Sequence, residues 1–177
     1  MQSRRTCLAT KHKVVIDANI ARSSGMTEHP VSKSCREALE HISKNDHSFV
    51  LCKTLLAEWK RHQSNYSKQW LASMFARRKV VIINHEDESK LKIATSKARD
   101  ESKNAALKDS HLIDAAGLRG RFVTSSDDRA RKAFAAIPEL YSITRNITWL
   151  NPVTESDTLT DILKNGKKPN RENKIRN

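Results

Sequence analysis

Two aspartates each follow directly on a short apolar segment, which makes them the first candidates for chemistry in this sequence. Asp17 ends the segment KVVID, whose three β-branched apolar residues predict a buried strand. Asp127 follows the segment RFVTSS, which predicts another strand. A carboxylate at the end of a buried strand is costly to desolvate without compensation. An arginine or lysine partner, a helix-capping role or a metal ion would each compensate that cost.

Helical geometry singles out a further acid in the segment KDSHLIDAAGL (108–118). Ile113 and Ala116 lie within about 40° of Asp109 around the helix axis, so Asp109 heads the buried face of the predicted helix. Asp114 and His111 point toward solvent or toward a neighbouring helix. Asp109 is therefore the stronger candidate for a functional carboxylate, although an aspartate near the start of a helix also commonly caps it.

Glu58 is the fourth acid of interest, and it lies in the predicted helix of LLAEWKRH. It stands between Leu55 and Trp59, so we expect its side chain to be partly buried. The alternative is a pairing within the helix, because Arg61 and His62 follow it at helical spacing.

The segments that must position these acids alternate between strands and helices. Short strands separated by helices predict a three-layer α/β/α fold around a central parallel sheet of about four or five strands. Ligands bind outside the carboxyl ends of the strands in such sheets, so Asp17 and Asp127 are expected to meet there. Besides 13–17, strands are predicted at 48–52, 79–84, 121–126 and 146–150. Helices are predicted at 31–45, 53–63, 67–78, 86–104, 108–118 and 127–137.

The distribution of charge predicts one domain with two basic ends. The chain of 177 residues is long enough for a single core, and its net charge is +13. The first thirteen residues contribute +4 and the last fourteen +5, which leaves +4 for the rest. We therefore predict a basic arm at 1–12, a domain at 13–150 and a C-terminal extension at 151–177 whose basic tail, after residue 165, is disordered. Basic ends favour a nucleic-acid partner, although such tails can also serve solubility alone.

Other features of the composition exclude several classes of protein. No apolar segment is long enough to span a bilayer, and no secretory signal is visible, so no membrane partner is expected. The number of cysteines is odd, and their spacing does not fit a metal site; they are Cys7, Cys35 and Cys52. This pattern indicates reduced thiols in a cytoplasmic protein. Four glycines in all leave no phosphate-binding glycine-rich loop.

Four of these segments, taken in order, resemble the motifs of the PIN-domain nucleases, a family that includes the VapC-type toxins of toxin–antitoxin pairs. VVIDAN is similar to the family's opening strand, and LLAEWKR to the helix that carries its second acid. DSHLIDAA is similar to the third motif, and FVTSSD to the final one. The corresponding acids are Asp17, Glu58, Asp109 and Asp127, with Asn19 and Ser125 as supporting polar residues.

The resemblance implies a metal-dependent endoribonuclease in which the four acids bind Mg²⁺ or Mn²⁺ and the product carries a 5′-phosphate. Neighbouring carboxylates raise one another's pKa, and hard divalent cations with oxygen ligands relieve that repulsion. The implied partners are RNA, an antitoxin protein and a second copy of the chain, since members of the family often dimerise. A structure-selective DNA nuclease and a non-catalytic nucleic-acid-binding protein on the same scaffold remain alternatives. Stand-alone RNA processing and defence against mobile elements are as compatible with the residues as a toxin role.

Several charged residues near the motifs add candidates. Asp114 stands where the toxin ribonucleases usually have alanine, so it either assists the other acids or faces solvent. Asp128 adjoins Asp127 and is a second supporting acid. Arg129 and Arg131 are candidates for contact with nucleic-acid phosphates, and the alternative is that they neutralise the acids or pair with Asp128.

Overall fold

A single sheet of five parallel strands is the centre of the computed structural model, which describes residues 10–84 and 87–176. Its strands are β1 (Lys13–Ile16), β2 (Ser48–Leu51), β3 (Val80–Ile82), β4 (Phe122–Thr124) and β5 (Thr148–Leu150). They lie in the order β3-β2-β1-β4-β5, and every adjacent pair is parallel. The predicted α/β class and the parallel sheet are confirmed.

Helices cover the sheet in two groups, which gives the predicted three layers. The helices are α1 (Ala18–Ser23), α2 (Pro30–Lys44), α3 (Lys53–His62), α4 (Asn65–Ala76), α5 (Glu88–Thr95), α6 (Asp100–Leu118), α7 (Asp128–Ala136), α8 (Tyr141–Thr144) and α9 (Ser156–Leu163). One group is built around α2, which packs on α1, α4, α9 and β2, and the other around α6, which packs on α5, α7, α8 and β1. A 3₁₀ turn at Pro138–Leu140 joins α7 to α8.

Strand β1 is central because its apolar residues are covered on both faces. Val14, Val15 and Ile16 are fully buried, as expected for a parallel strand between two helical layers. The indole Nε1 of Trp59, on α3, donates a hydrogen bond of 2.8 Å to the carbonyl oxygen of Ile16. This bond fixes α3, which also carries Glu58, to the end of β1 from which Asp17 emerges.

The turn between α6 and β4 depends on glycine at position 120. Gly120 has a φ of +89°, and a Cβ built on it would lie 1.9 Å from the carbonyl oxygen of Lys13. Any other residue would therefore clash with the first residue of β1 as well as strain its own backbone. This close approach lets β4 enter the sheet beside β1.

The helical prediction differs from the structure in several places, and α8 and α9 were not predicted. Residues after Asp17 form α1 at once, where a loop was expected. Helix α6 begins at Asp100, so it joins part of the polar segment predicted as a separate helix to the motif around Asp109. Asp109 therefore lies in the middle of a helix, and the capping alternative for it is wrong.

The predicted disordered tail also differs from the structure. Ile175 is buried, and Lys174 forms an antiparallel bridge with Thr148 of β5. The guanidinium of Arg131 donates hydrogen bonds to the carbonyl oxygens of Glu172 and Lys174, which holds the tail against α7. Polar composition alone missed this segment because its order depends on these contacts with distant residues. Most of the predicted basic arm at 1–12 lies outside the described residues.

Within 10–84 and 87–176, no helix combines the length and the apolar character that crossing a membrane would require.

Candidate functional site

The sheet has one point at which the direction of chain progression reverses, and it lies between β1 and β4. From β1 the chain proceeds outward through β2 and β3, and it then returns to the other side of β1 to form β4 and β5. The backbone N–H of Asp17 donates a 3.0 Å hydrogen bond to the carbonyl oxygen of Thr124, so the two carboxyl ends are directly paired. Ligands of open parallel sheets bind at such a point.

A cleft of about 470 Å³ opens at this point, and all four predicted acids line it. Asp17 follows β1, Asp127 follows β4, and Glu58 and Asp109 reach it from α3 and α6. We call this site the acidic cleft. Basic side chains share its wall, namely Arg22, Arg61, His62 and Lys108.

Ser125 connects the two acids that follow the strands. Its hydroxyl donates a 2.6 Å hydrogen bond to Oδ2 of Asp17. Oγ of Ser125 itself accepts hydrogen bonds from the side-chain amide of Asn19, at 3.1 Å, and from the backbone N–H of Asp127, at 3.0 Å. The predicted supporting residues Asn19 and Ser125 therefore form one network with Asp17 and Asp127.

Asp17 and Asp127 also cap helices. Oδ1 of Asp17 accepts a hydrogen bond from the backbone N–H of Asn19 at the start of α1, and Oδ1 of Asp127 accepts one from Ala130 at the start of α7. The positive end of a helix stabilises a carboxylate in this position. Capping is thus one of the compensations that allow Asp17 to follow a buried strand.

Burial and mutual repulsion still disfavour the charged forms of these acids. Burial raises the pKa of Asp17, against the opposing effect of its hydrogen bonds from Ser125 and Asn19. Burial, followed by the negative charge of Asp17, raises the pKa of Asp109 to about 7. Both side chains are 7% exposed, so water offers them little compensation.

Glu58 lies beside a histidine from another helix, a contact that its sequence neighbours do not indicate. Nε2 of His111, on α6, lies 3.1 Å from Oε2 of Glu58, and the histidine is almost fully buried. The alternative for Glu58, a pairing with Arg61 or His62 within the helix, is replaced by this contact between two helices. Arg61 and His62 instead line the cleft beside Glu58.

The remaining predicted residues lie outside the acidic cleft. Oδ1 of Asp114 accepts a hydrogen bond from the backbone N–H of Ser89, at the start of α5. Asp128 accepts a 3.0 Å hydrogen bond from the side-chain amide of Asn151. These contacts give both aspartates a place in the packing of the fold.

The two predicted arginines differ from each other in position. Arg129 forms an exposed pair with Glu101 and lines a neighbouring cavity that shares Asp109 and Asp127 with the cleft. Arg131 turns the other way, where it pairs with Glu155 and holds the C-terminal tail.

The basic residues of the cleft were not singled out from the sequence as site residues. Lys108 adjoins Asp109, and Arg61 follows Glu58 by less than one helical turn, so their spacing contained a usable signal. Arg22 could be placed only once α1 was known, because a loop at 18–23 predicts no direction for its side chain.

The oxygen-rich donor set of the cleft is of the type that hard divalent cations prefer. In the described part of the chain, however, no group of three or more histidine, cysteine, aspartate or glutamate side chains has an arrangement that could hold a metal ion. A cation bound by all four acids would thus require their side chains to turn, and Glu58 to leave His111.

In comparisons with known proteins, no protein-family model matches the chain and no curated protein matches it significantly. The resemblance to PIN-domain nucleases therefore stays a prediction that rests on the four motifs. The geometry of the acidic cleft is the basis for a functional proposal.

Proposed function

We propose that the protein hydrolyses RNA phosphodiester bonds in the acidic cleft and requires Mg²⁺ or Mn²⁺ to do so. The observation that carries this proposal is that Asp17, Glu58, Asp109 and Asp127 come from four distant segments and line one cleft. They do so at the reversal point of the sheet, where the general rule for parallel sheets places a ligand. A fold has no structural need to gather like charges there.

The chemistry of the donor set fits a divalent cation, because carboxylate oxygens are hard ligands and repel one another when no cation is present. Asp17, Asp109 and Asp127 would hold the ion, and Glu58 would join them after leaving His111. When bound, such an ion lowers the pKa of a coordinated water and stabilises negative charge on a phosphoryl group.

The basic side chains of the cleft would bind the substrate. Arg22, Arg61 and Lys108 stand beside the acids, where they would neutralise phosphates that the carboxylates alone would repel. Guanidinium groups contact phosphate oxygens through two parallel hydrogen bonds, so the arginines would also orient the backbone.

The network around Ser125 would keep the reacting groups in place. With its hydroxyl shared between the carboxylate of Asp17, the amide of Asn19 and the backbone N–H of Asp127, the serine fixes the carboxylate of Asp17 relative to the backbone of Asp127. Such outer hydrogen bonds orient ligand oxygens and maintain their basicity. The buried position of Asp17 excludes bulk water from one side of the site.

A cleavage assay with labelled RNA, single-stranded DNA and flapped DNA tests the proposal. We expect cleavage of RNA with Mn²⁺ or Mg²⁺, products with 5′-phosphates, and no cleavage with EDTA. Asp17→Asn should abolish cleavage while circular dichroism shows the fold unchanged. Asp128→Asn is the matched control, because this aspartate also lies near the end of β4 but contacts Asn151 outside the cleft.

Cleavage of RNA by Asp17→Asn at the normal rate would overturn the proposal. Tight binding without cleavage, unaffected by EDTA, would identify a non-catalytic nucleic-acid-binding protein instead. Cleavage of flapped DNA in preference to RNA would identify a DNA nuclease. The toxin role and the antitoxin partner stay predictions, and growth arrest on expression of the chain is their first test.

A further inference from the structure

The amino-terminal edge of the sheet, opposite to the acidic cleft, carries a concentration of basic residues. In a parallel sheet the residues that precede each strand lie at this edge, and lysines or arginines stand shortly before or at the start of all five described strands. The C-terminal tail adds two more beside β5. We call this surface the basic edge. It consists of Lys11, Lys13, Lys44, Arg77, Arg78, Lys79, Arg119, Arg121, Arg145, Lys174 and Arg176.

The strand register aligns these residues in one row. Lys13 pairs with Ser48, and Phe122 pairs with Thr148, so the strands begin side by side. Neighbouring strands lie about 4.8 Å apart, and five strands therefore span roughly 19 Å. A single strand of nucleic acid places several phosphates over that length.

Contacts between the segments show that the row is continuous from β3 to β1. Arg77 donates a hydrogen bond to the carbonyl oxygen of Ser43, and Lys79 pairs with Asp46 at 2.7 Å. Lys11 donates to the carbonyl oxygen of Asn45. The approaches to three adjacent strands are thereby joined by basic side chains.

The row continues from β1 to β5. The backbone of Gly120, beside Arg121, contacts Lys13. The ammonium group of Lys174 donates to the carbonyl oxygen of Asn146 and lies 3.1 Å from the hydroxyl of Thr148. Burial, and then the positive charge of Arg121, lowers the pKa of Lys174.

Few acids neutralise this edge. Lys79 is paired with Asp46, and Lys44 with Glu40. Within 10–84 and 87–176, the other cations of the basic edge form no ion pair. Most of them are exposed, so they are available to a polyanion.

An exposed aromatic ring lies at the β5 end of the basic edge. Tyr141 is 51% exposed, and the guanidinium carbons of Arg145 and Arg176 lie 5.9 and 5.5 Å from its ring centroid. Both guanidinium groups lie over the ring, so a stacked base would take the place of one of them, and the displaced cation would then face the adjoining phosphates. An acidic protein surface would form ion pairs with the two arginines, but it would have no base to stack on the ring of Tyr141.

We propose that the basic edge binds single-stranded nucleic acid, with its phosphates along the row of cations and a base stacked on Tyr141. This surface lies at the end of the sheet opposite to the acidic cleft, so it would hold a part of the strand that is not in the cleft. The proposal does not depend on the proposed nuclease activity, because binding at this edge requires neither the four acids nor a metal ion.

Fluorescence anisotropy with a labelled 20-nucleotide oligouridine, in EDTA so that no metal-dependent cleavage occurs, tests this proposal. We expect the triple variant Arg121→Gln, Arg145→Gln, Arg176→Gln to raise Kd at least about tenfold. It should also lower the slope of log Kd against log salt by about 2, at about 0.7 for each lost phosphate contact. The charge-matched control is Lys33→Gln, Lys68→Gln, Lys90→Gln, whose three lysines are exposed elsewhere. It should change Kd much less.

Variants of Tyr141 distinguish base stacking from a general attraction between opposite charges. Tyr141→Ala should raise Kd about 5- to 100-fold, whereas Tyr141→Phe, which keeps the ring, should bind normally. An oligodeoxyuridine of the same length shows whether the edge distinguishes ribose from deoxyribose, and its binding also supports the proposal.

Three results would overturn it. One is equal weakening by the triple variant and its control, which would indicate non-specific charge. Another is competition by polyglutamate as strong as that by unlabelled oligouridine, which would indicate an acidic protein partner. The third is loss of binding only in Arg22→Gln, Arg61→Gln, Lys108→Gln, which would place the nucleic acid in the acidic cleft alone. A failure of the nuclease proposal would leave all these measurements unchanged.

Discussion

The two ends of the sheet carry opposite charges, and the backbone favours this separation. Helices that follow strands begin at the carboxyl edge, where their N–H groups stabilise Asp17 and Asp127. Helices end at the amino edge, where loop and helix carbonyl oxygens accept hydrogen bonds from Lys11, Arg77 and Lys174. Part of the separation is therefore a property of the fold.

The charged side chains at the two ends of the sheet also differ in burial. Asp17 and Asp109 are buried and keep raised pKa values although Asp17 caps α1, so their charged forms cost folding free energy that capping does not fully offset. The cations of the basic edge are mostly exposed and cost little. Two buried acids with raised pKa values therefore favour a functional role, whereas an exposed row of cations has to be tested by binding.

Among the variants that test whether the two ends of the sheet act independently, Ser125→Ala is expected to have the largest effect. Loss of the hydroxyl removes the hydrogen bond to Asp17 and frees Asn19 and Asp127 from their common partner. RNA cleavage should fall by about 10- to 100-fold, as is typical when an outer hydrogen bond to a metal ligand is lost. Binding of oligouridine in EDTA should be unchanged.

Ser126→Ala is the control for this variant, since the neighbouring serine lines the cleft but its side chain is not part of the network. Cleavage at the normal rate by Ser125→Ala would show that the two acids do not need this support. Loss of oligouridine binding would show that the two ends of the sheet are not independent.

A second variant tests whether the C-terminal tail belongs to the basic edge. Arg131 holds the tail through the carbonyl oxygens of Glu172 and Lys174, and it pairs with Glu155. Arg131→Ala should lower the free energy of unfolding by about 2 kcal/mol, measured by urea denaturation. It should also weaken oligouridine binding, because it releases Lys174 and Arg176, while RNA cleavage per folded molecule is retained.

Arg129→Ala is the matched control, because Arg129 is on the same helix but forms an exposed pair with Glu101. Exposed pairs contribute less than about 1 kcal/mol, so this variant should be almost as stable as the parent. Equal stability of the two variants would contradict the role assigned to Arg131.

The acidic cleft also makes a prediction about stability. The pKa of Asp109 is raised to about 7 in the folded chain, so between pH 3.8 and 7 the folded state binds a proton that the unfolded chain does not. Stability therefore declines as the pH rises through this window. Asp109→Asn should raise the free energy of unfolding at pH 7.5, without metal, by about 1 to 2 kcal/mol, and should reduce this decline.

Urea denaturation from pH 4 to 8 measures this effect, with Asp128→Asn as the control outside the cleft. A destabilising effect of Asp109→Asn at pH 7.5 would mean that the carboxylate makes structural contacts that outweigh its repulsion. Addition of Mn²⁺ should reduce the difference in free energy of unfolding between the parent and Asp109→Asn, because the cation stabilises the carboxylate form.

The sheet and the acids at its carboxyl edge could be predicted because their signals are local. The segment around Val14 and Val15 has an uninterrupted apolar pattern that only a buried strand explains. Parallel strands then fix the side of the sheet at which Asp17 and Asp127 emerge. That Asp109 lies on a buried helix face followed from helical periodicity alone.

Features that depend on contacts between distant segments could not be predicted. The pair of Glu58 and His111 joins α3 to α6, and neither residue alone indicates its partner. The start of α6 was missed because residues 100–108 are mostly polar and have little periodicity. The basic edge emerges only when the register has placed five separate loops in one row.

The smallest expected effect concerns a histidine pair at the amino end of the sheet, in which His47 is buried and His12 is half-buried. The pH dependence that this pair contributes is opposite in sign to that of Asp109. Nδ1 of His47 accepts a 2.9 Å hydrogen bond from the backbone N–H of His12, and Nε2 lies 2.7 Å from the carbonyl oxygen of Leu163. The neutral ring with its proton on Nε2 satisfies both contacts. A proton on Nδ1 would face another donor.

Burial, and then the neighbouring His47, lowers the pKa of His12 to about 4, and burial also lowers the pKa of His47. Between pH 6.5 and about 4 the unfolded chain therefore binds protons that the folded chain does not, so the free energy of unfolding falls as the solution is acidified. His12→Phe keeps the backbone donor and the ring packing near Phe122. It should reduce this acid sensitivity in urea denaturation between pH 4 and 7, whereas His62→Phe, at the cleft, should not. If acidification stabilised the parent across this whole window, the carboxylates of the cleft would dominate its pH dependence and the histidine pair would contribute little.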